Sequence, residues 1–215
     1  MQGLFPRGGA HKPWPMPVLP DLVLFAKYPL PGYAKTRLIP ALGAEGAAQV
    51  HRHLARRTVD LLLQSGAPTE VRYAGAEEAA FRDWLGDGPA LLAQAEGGLT
   101  ERLVDASRPH PHMFFGADTP DLDAGMIAAA MTALASHDVV IGPAEDGGYF
   151  LIGMQTARPE LLTDMPWSTE QVFPETLRRC EVLGLAVALL PMLADCDRPE
   201  DLERWPDLRE LARCA

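Results

Sequence analysis

The chain has 215 residues, 47% of them hydrophobic and 22% charged, and a formal net charge of −10 from 19 Lys and Arg against 29 Asp and Glu. That is enough chain for one domain with a sizeable core, and its acidic balance excludes the basic surface by which proteins coat nucleic acid or anionic membranes. The three cysteines form no CxxC pair and no apolar run reaches the length of a membrane span, so no disulfide framework or zinc site is indicated and a cytoplasmic protein is expected.

Residues 1–20, "MQGLFPRGGAHKPWPMPVLP", are rich in Pro and Gly and lack the apolar stretch of a signal peptide. They are expected to be a disordered tail before a single domain at 21–215. "LVLFAK" (22–27) then reads as a buried strand, and 43–64 as a helix with Ala47, Val50, Leu54, Thr58 and Leu61 on one face. A strand at 69–75, a helix at 77–85, a strand at 90–94 and a helix near 100–107 follow. "HMFFGAD" (112–118) is the next strand; 123–136 is a helix whose apolar face holds Met126, Ala130, Met131 and Leu134. Extended runs at 138–143 and 148–154, a helix at 169–183, a strand at 185–191 and a closing helical segment from Arg198 complete the pattern. Strands alternating with helices define an α/β fold, a three-layer α/β/α sandwich on a mostly parallel sheet.

Ligands of such sheets bind outside the carboxyl ends of the strands. Three polar clusters fall there: 27–37, Asp118–Asp121 and Asp195–Asp197. In "FAKYPLPGYAKTRL" (25–38) the residues Lys27, Gly32, Lys35, Thr36 and Arg37 form either a phosphate-binding loop or a solvated basic turn. It is neither a Walker A loop nor a GxGxxG loop. Asp118, directly after the central strand, is a candidate ligand for a hard divalent cation. Asp123 reads as a helix cap, and Asp121 as either cap or ligand. Asp195 and Asp197 are two apart and share one face of an extended chain, or belong to a plain acidic loop. Gly147 and Gly148 after Asp146 either admit a sugar or base or make a hairpin turn. Trp167 is a stacking surface or core, and Ser168 or Thr169 a helix cap. The six histidines show no metal-binding spacing and read as non-catalytic.

Taken in order, "FAKYPLPGYAKTRL", "GADTPDL", "AEDGGYFLIG", "PWST" and "DCDRPEDL" resemble a bacterial group of nucleotide-diphospho-sugar-transferase-like proteins, the rSAM/selenodomain-associated transferase 1 group. Its relatives include MobA-type and 2-phospho-lactate nucleotidylyltransferases, and the resemblance covers about residues 20–205. It implies the glycosyltransferase A fold, Lys35 and Arg37 as phosphate partners, and a Mg²⁺ or Mn²⁺ ion on Asp118 and Asp197, with Asp195 as an alternate. Asp118 and Asp146 become the candidate catalytic carboxylates, with Gly147, Gly148 and Trp167 lining the sugar or acceptor pocket. Two segments depart from the family pattern. "GGLTERL" (97–103) has Gly98 and Thr100 where an acid and a glycine are expected, and Arg198 replaces a threonine before "PEDL".

The reading that follows is a metal-dependent glycosyltransferase using a nucleotide-diphospho-sugar donor and a small-molecule acceptor. The alternatives are a nucleotidylyltransferase that consumes a nucleoside triphosphate and releases pyrophosphate, and a non-catalytic nucleotide-sugar-binding protein. A homodimer through an apolar helix face is compatible with the pattern.

Overall fold

A computed structural model of the chain describes residues 18–213. The N-terminal tail up to residue 17 and Cys214 therefore lie outside the described residues. Among the described residues, seven strands form one sheet: β1 (Asp21–Lys27), β2 (Thr69–Ala74), β3 (Ala90–Ala93), β4 (His112–Phe115), β5 (Val139–Pro143), β6 (Tyr149–Met154) and β7 (Val187–Leu189). Their order is β3-β2-β1-β4-β6-β5-β7. Every neighbouring pair is parallel except β6, which runs antiparallel to both β4 and β5. Among the described residues, six α-helices surround the sheet: α1 (Ile39–Gln64), α2 (Glu78–Leu85), α3 (Leu99–Ala106), α4 (Ala124–Leu134), α5 (Val172–Val182) and α6 (Pro206–Leu211).

The two-residue period of the strands divides the core between the two faces of the sheet. Along β1, Leu22, Leu24 and Ala26 pack with Val59, Leu62, Phe81 and Ile127 from α1, α2 and α4. Val23 and Phe25 point the other way, into a cluster with Leu103 of α3, Phe114, Ile152 and Cys180 of α5. Apolar residues on both faces explain why the strands read as continuous runs rather than alternating patterns.

A third cluster positions the site. Leu38, just ahead of α1, and Ala47, Val50 and Leu54 of α1 pack against Cys196, Leu202 and Leu208. This clamps the 194–208 segment beside the loop that follows β1, although the two are far apart in sequence. The segment is also stitched to the sheet end: Leu193 N donates to Pro143 O at 3.1 Å, and Glu145 N to Leu193 O at 3.0 Å.

Several sequence expectations shift in detail. α1 starts at Ile39 rather than at 43, but Gly43 (φ 73°, ψ 172°) breaks its helical geometry, so the regular stretch begins where the periodicity does. The buried face of α4 is Ile127, Ala130 and Leu134, with Met126 and Met131 at its margins. The closing segment is not one helix: Pro199–Glu203 forms a 3-10 turn, and α6 starts separately at Pro206. Proline lacks an N–H and clashes with the preceding turn, so it opens a helix and does not continue one.

Candidate active site

The end of β1 is turned by Pro31 and Gly32. Tyr33 N donates to Leu30 O at 3.1 Å and Gly32 takes φ 83°, the type II turn for which proline and glycine in this order are suited. Gly32 is exposed and does not line the cleft described below; its positive φ serves the turn. After the turn Ala34 is buried, and Lys35 adopts φ 44°, ψ 49°, a left-handed conformation uncommon for a residue with a side chain.

That backbone aims Lys35 across the site. Its ammonium is 2.6 Å from Asp118 Oδ1 and 3.4 Å from Asp197 Oδ1, and it donates to the Cys196 carbonyl at 2.6 Å. Arg37 Nη1 reaches the other oxygen of Asp197 at 3.0 Å. The main chain holds the two acidic segments together, since Cys196 N donates to Asp118 O at 2.8 Å. Asp201 caps the second segment by accepting from the backbone N–H groups of Asp197 and Arg198 at 2.9 and 2.7 Å. The candidate phosphate cations and the candidate metal carboxylates are therefore one cluster.

Its electrostatics follow from these contacts. Burial opposes charge on Lys35, but the Asp118 and Asp197 carboxylates outweigh it and hold its pKa above the ordinary lysine value. Burial likewise opposes ionisation of Asp118, and the paired Lys35 ammonium more than offsets it, so its pKa is lowered. Asp195 lacks such a partner. Its Oδ1 accepts from Thr119 Oγ1 at 2.8 Å, while burial and then the charges of Asp118 and Asp146 push its pKa up to about 7.

The cluster borders an open cleft of about 1440 Å³ over the strand ends. Lys27, Thr36, Arg37, Asp146 and Trp167 also face it. Asp146 Oδ1 accepts from Gly148 N at 2.9 Å, which orients its carboxylate. Gly147 and Gly148 themselves do not line the cleft: they form the β5–β6 turn. Gly147 has φ 86°, and a Cβ on it would lie 2.5 Å from Glu170 Cα, so a glycine is required here for the close approach of two backbones. Trp167 is at once core and wall. Its Nε1 donates to Thr100 Oγ1 at 2.8 Å, and its ring meets Tyr149 edge-on in the α5-side cluster. Thr169 forms a turn ahead of α5 rather than its cap, which is Gln171. Asp123 caps α4 through Met126 N at 2.7 Å, and Asp121 accepts from Trp205 Nε1 at 3.0 Å.

Sequence reasoning missed the roles of four residues. Arg204 and Glu145 pair at 2.8 Å on the cleft rim; Glu145 stands inside "AEDGGYFLIG" without being singled out, and no motif marks Arg204. Thr119, hidden within "GADTPDL", is the partner of Asp195. His51 lines the cleft and bonds the Lys27 carbonyl through Nε2 at 2.9 Å, with burial lowering its pKa and keeping it a neutral donor. From the sequence all six histidines read as non-catalytic, because none stands at a metal-binding spacing.

The strand order, with one antiparallel strand in an otherwise parallel sheet and acidic residues at the strand ends, is that of the nucleotide-diphospho-sugar transferase fold of glycosyltransferase A type. Residues 58–169 match the family described as "Uncharacterized protein conserved in bacteria (DUF2064)", and the chain belongs to that family. Among solved structures it is similar to a candidate nucleotide-diphospho-sugar transferase from Desulfovibrio desulfuricans G20, with 28% identity and a TM-score of 0.80 over 90% of this chain and 93% of that one. Glucosyl-3-phosphoglycerate synthase from Mycobacterium tuberculosis, solved with Mn²⁺, UDP and glucosyl-3-phosphoglycerate, shares the fold at 14% identity and a TM-score of 0.52 over 91% and 76%. A CMP-2-keto-3-deoxy-manno-octonic acid synthetase complexed with CTP does so at 12% identity and 0.51 over 91% and 99%. No curated protein matches the sequence.

Proposed function

We propose that this protein is a metal-dependent transferase acting on a nucleotide-activated substrate, and that it moves a sugar from a nucleotide-diphospho-sugar to a small acceptor. The observation that carries the reading is the convergence of Lys35, Arg37, Asp118 and Asp197 at one point of a cleft open at the strand ends. The fold supports it, because similar structures bind UDP with Mn²⁺ or CTP in proteins of this architecture.

The donor set fits a divalent cation. Asp118 and Asp197 direct oxygens at one ammonium-sized volume, and their side chains are 43% and 40% exposed toward the cleft. Among the described residues no group of three or more His, Cys, Asp or Glu surrounds a common point. Two carboxylates with the remaining positions left to water and phosphate is the manner in which Mg²⁺ is commonly held. A bound metal would neutralise charge on the leaving phosphates.

The protein's own groups supply the rest. Arg37, 60% exposed, offers a planar donor set to phosphate oxygens at the cleft mouth. Lys27 adds a second exposed cation at the end of β1. Asp146, fixed by its turn, faces the cleft where an acceptor hydroxyl would need a proton acceptor. Trp167, with its N–H satisfied by Thr100, presents an apolar surface to a sugar or base.

A screen of nucleotide sugars and nucleoside triphosphates by thermal shift, each with and without Mg²⁺ or Mn²⁺, tests the reading. A ligand at 100 times its Kd adds about 2.7 kcal/mol to the native state, which in a chain of this size raises Tm by roughly 5–10 °C. A metal-dependent shift with one nucleotide sugar is the expected result. A preference for a triphosphate would replace sugar transfer by nucleotidyl transfer, which uses the same cluster. No shift with any nucleotide would overturn both and leave a protein that keeps the fold without the chemistry.

A further inference from the structure

The Lys35 side chain is 3% exposed, and its backbone is left-handed, a conformation that side-chain-bearing residues adopt where their surroundings impose it. Its three N–H donors match three oxygens: Cys196 O at 2.6 Å, Asp118 Oδ1 at 2.6 Å and Asp197 Oδ1 at 3.4 Å. The ammonium therefore occupies the point on which the two carboxylates converge, which the functional reading above assigns to a metal. An ammonium and a divalent cation cannot share that point.

Charge balance indicates which exchange the cluster permits. Asp118 and Asp197 carry two negative charges, and Lys35 and Arg37 two positive ones, so the four groups sum to zero. A divalent ion arriving alone would leave two uncompensated positive charges and displace the ammonium with no anion to receive it. A nucleotide-diphospho-sugar arriving with the ion restores the balance, because its diphosphate bridge carries two negative charges, and it offers phosphate oxygens to the freed lysine.

We propose that Lys35 is a displaceable stand-in for the metal: it neutralises Asp118 and Asp197 in the free protein and transfers to the nucleotide phosphates when the metal–nucleotide complex enters. The inference rests on the metal-dependent reading of the site. It makes the binding of metal and nucleotide mutually dependent, and it protects the two carboxylates from metal without nucleotide.

The test measures Mn²⁺ binding, by the electron paramagnetic resonance signal of free Mn²⁺, to the wild-type protein and to Lys35→Met. Each is titrated alone and with UDP or CTP. Lys35→Met is expected to bind Mn²⁺ alone about tenfold more tightly than wild type, the effect of one competing charge worth about one pK unit. It is also expected to lose much of the gain that nucleotide confers. Lys35→Arg keeps the charge and should stay as weak as wild type toward Mn²⁺ alone, a contrast that a merely structural lysine would not produce. Equal or weaker Mn²⁺ binding by Lys35→Met, while wild type binds Mn²⁺ with nucleotide, overturns the exchange and leaves the functional reading standing. Absence of Mn²⁺ binding in every protein, with or without nucleotide, overturns the metal-dependent reading and the exchange with it. Should Lys35→Met fail to fold, a crystal structure of the wild type with Mn²⁺ and UDP decides. Nζ on phosphate oxygens supports the exchange; Nζ still between Asp118 and Asp197 sinks it.

Discussion

Asp118 illustrates how a side chain becomes functional by what surrounds it. It leaves β4 at the strand end, is bound through its carbonyl to Cys196, and faces a lysine that holds it ionised. Asp118→Asn keeps the shape and removes the charge, so metal-supported nucleotide affinity is expected to fall at least about 100-fold, since even outer-shell partners of a metal cost 10–100-fold. Calorimetric titration with Mn²⁺ and the donor nucleotide measures this, and an unchanged affinity would remove Asp118 from the site. His112 provides a different kind of test. It is fully buried in β4, where burial, reinforced by Arg108, outweighs the pull of the His110 carbonyl and lowers its pKa below the unfolded value of about 6.5. Over the window below 6.5 the unfolded chain binds the proton more readily than the native one, so stability falls as pH falls. The stability advantage of wild type over His112→Gln, from urea unfolding, is expected to shrink between pH 7.5 and 5.5. A constant difference would mean that this histidine is not held neutral.

At the scale of elements, the β5–β6 hairpin and α5 are joined by backbone contact at a single glycine. Phe173 N donates to Gly147 O at 2.9 Å, and the Glu170 backbone lies where a Cβ would be. Gly147→Ala combines a disfavoured positive φ with a clash that no flexible side chain can relieve. A loss of about 2–4 kcal/mol in urea unfolding is expected, together with a displaced Asp146 and weaker ligand binding. A loss under 1 kcal/mol would show that the turn relaxes. α5 is tied a second time through Arg179, which pairs with Glu175 at 2.7 Å and donates to the carbonyls of Glu160 and Asp164 at 3.0 and 2.9 Å. Arg179→Met should loosen the loop that carries Trp167 more than it lowers Tm, because those carbonyls are near solvent. Hydrogen exchange of residues 160–168 would report it.

For the whole molecule, two apolar layers share the strands of one sheet, and the third cluster links α1 to the 194–208 segment. We propose that these residues form one domain. A single unfolding transition with equal calorimetric and van't Hoff enthalpies is expected, and two resolved transitions would divide the chain. The sheet order also explains how an acidic protein gathers cations. β1 and β4 are neighbours, so the loop with Lys35 and Arg37 lies next to Asp118. The negative balance of the chain as a whole says nothing about that local field.

The sequence by itself determined the alternation of elements, the α/β class and the three polar clusters, because local periodicity and proline and glycine act over a few residues. It also named Lys35, Arg37, Asp118, Asp146 and Asp197 as the residues to follow. Only the tertiary structure decided what they do to one another. Lys35 meets Asp118 because β1 and β4 are neighbours, and it meets Asp197 because the packing of α1 on Cys196, Leu202 and Leu208 brings together segments some 160 residues apart. Gly32, Gly147 and Gly148 read equally well as ligand-facing or turn-forming, since a glycine's sequence context does not record which backbone approaches it. The pairing of Arg204 with Glu145 left no signal, because an ion pair across a cleft rim exists only once both walls stand.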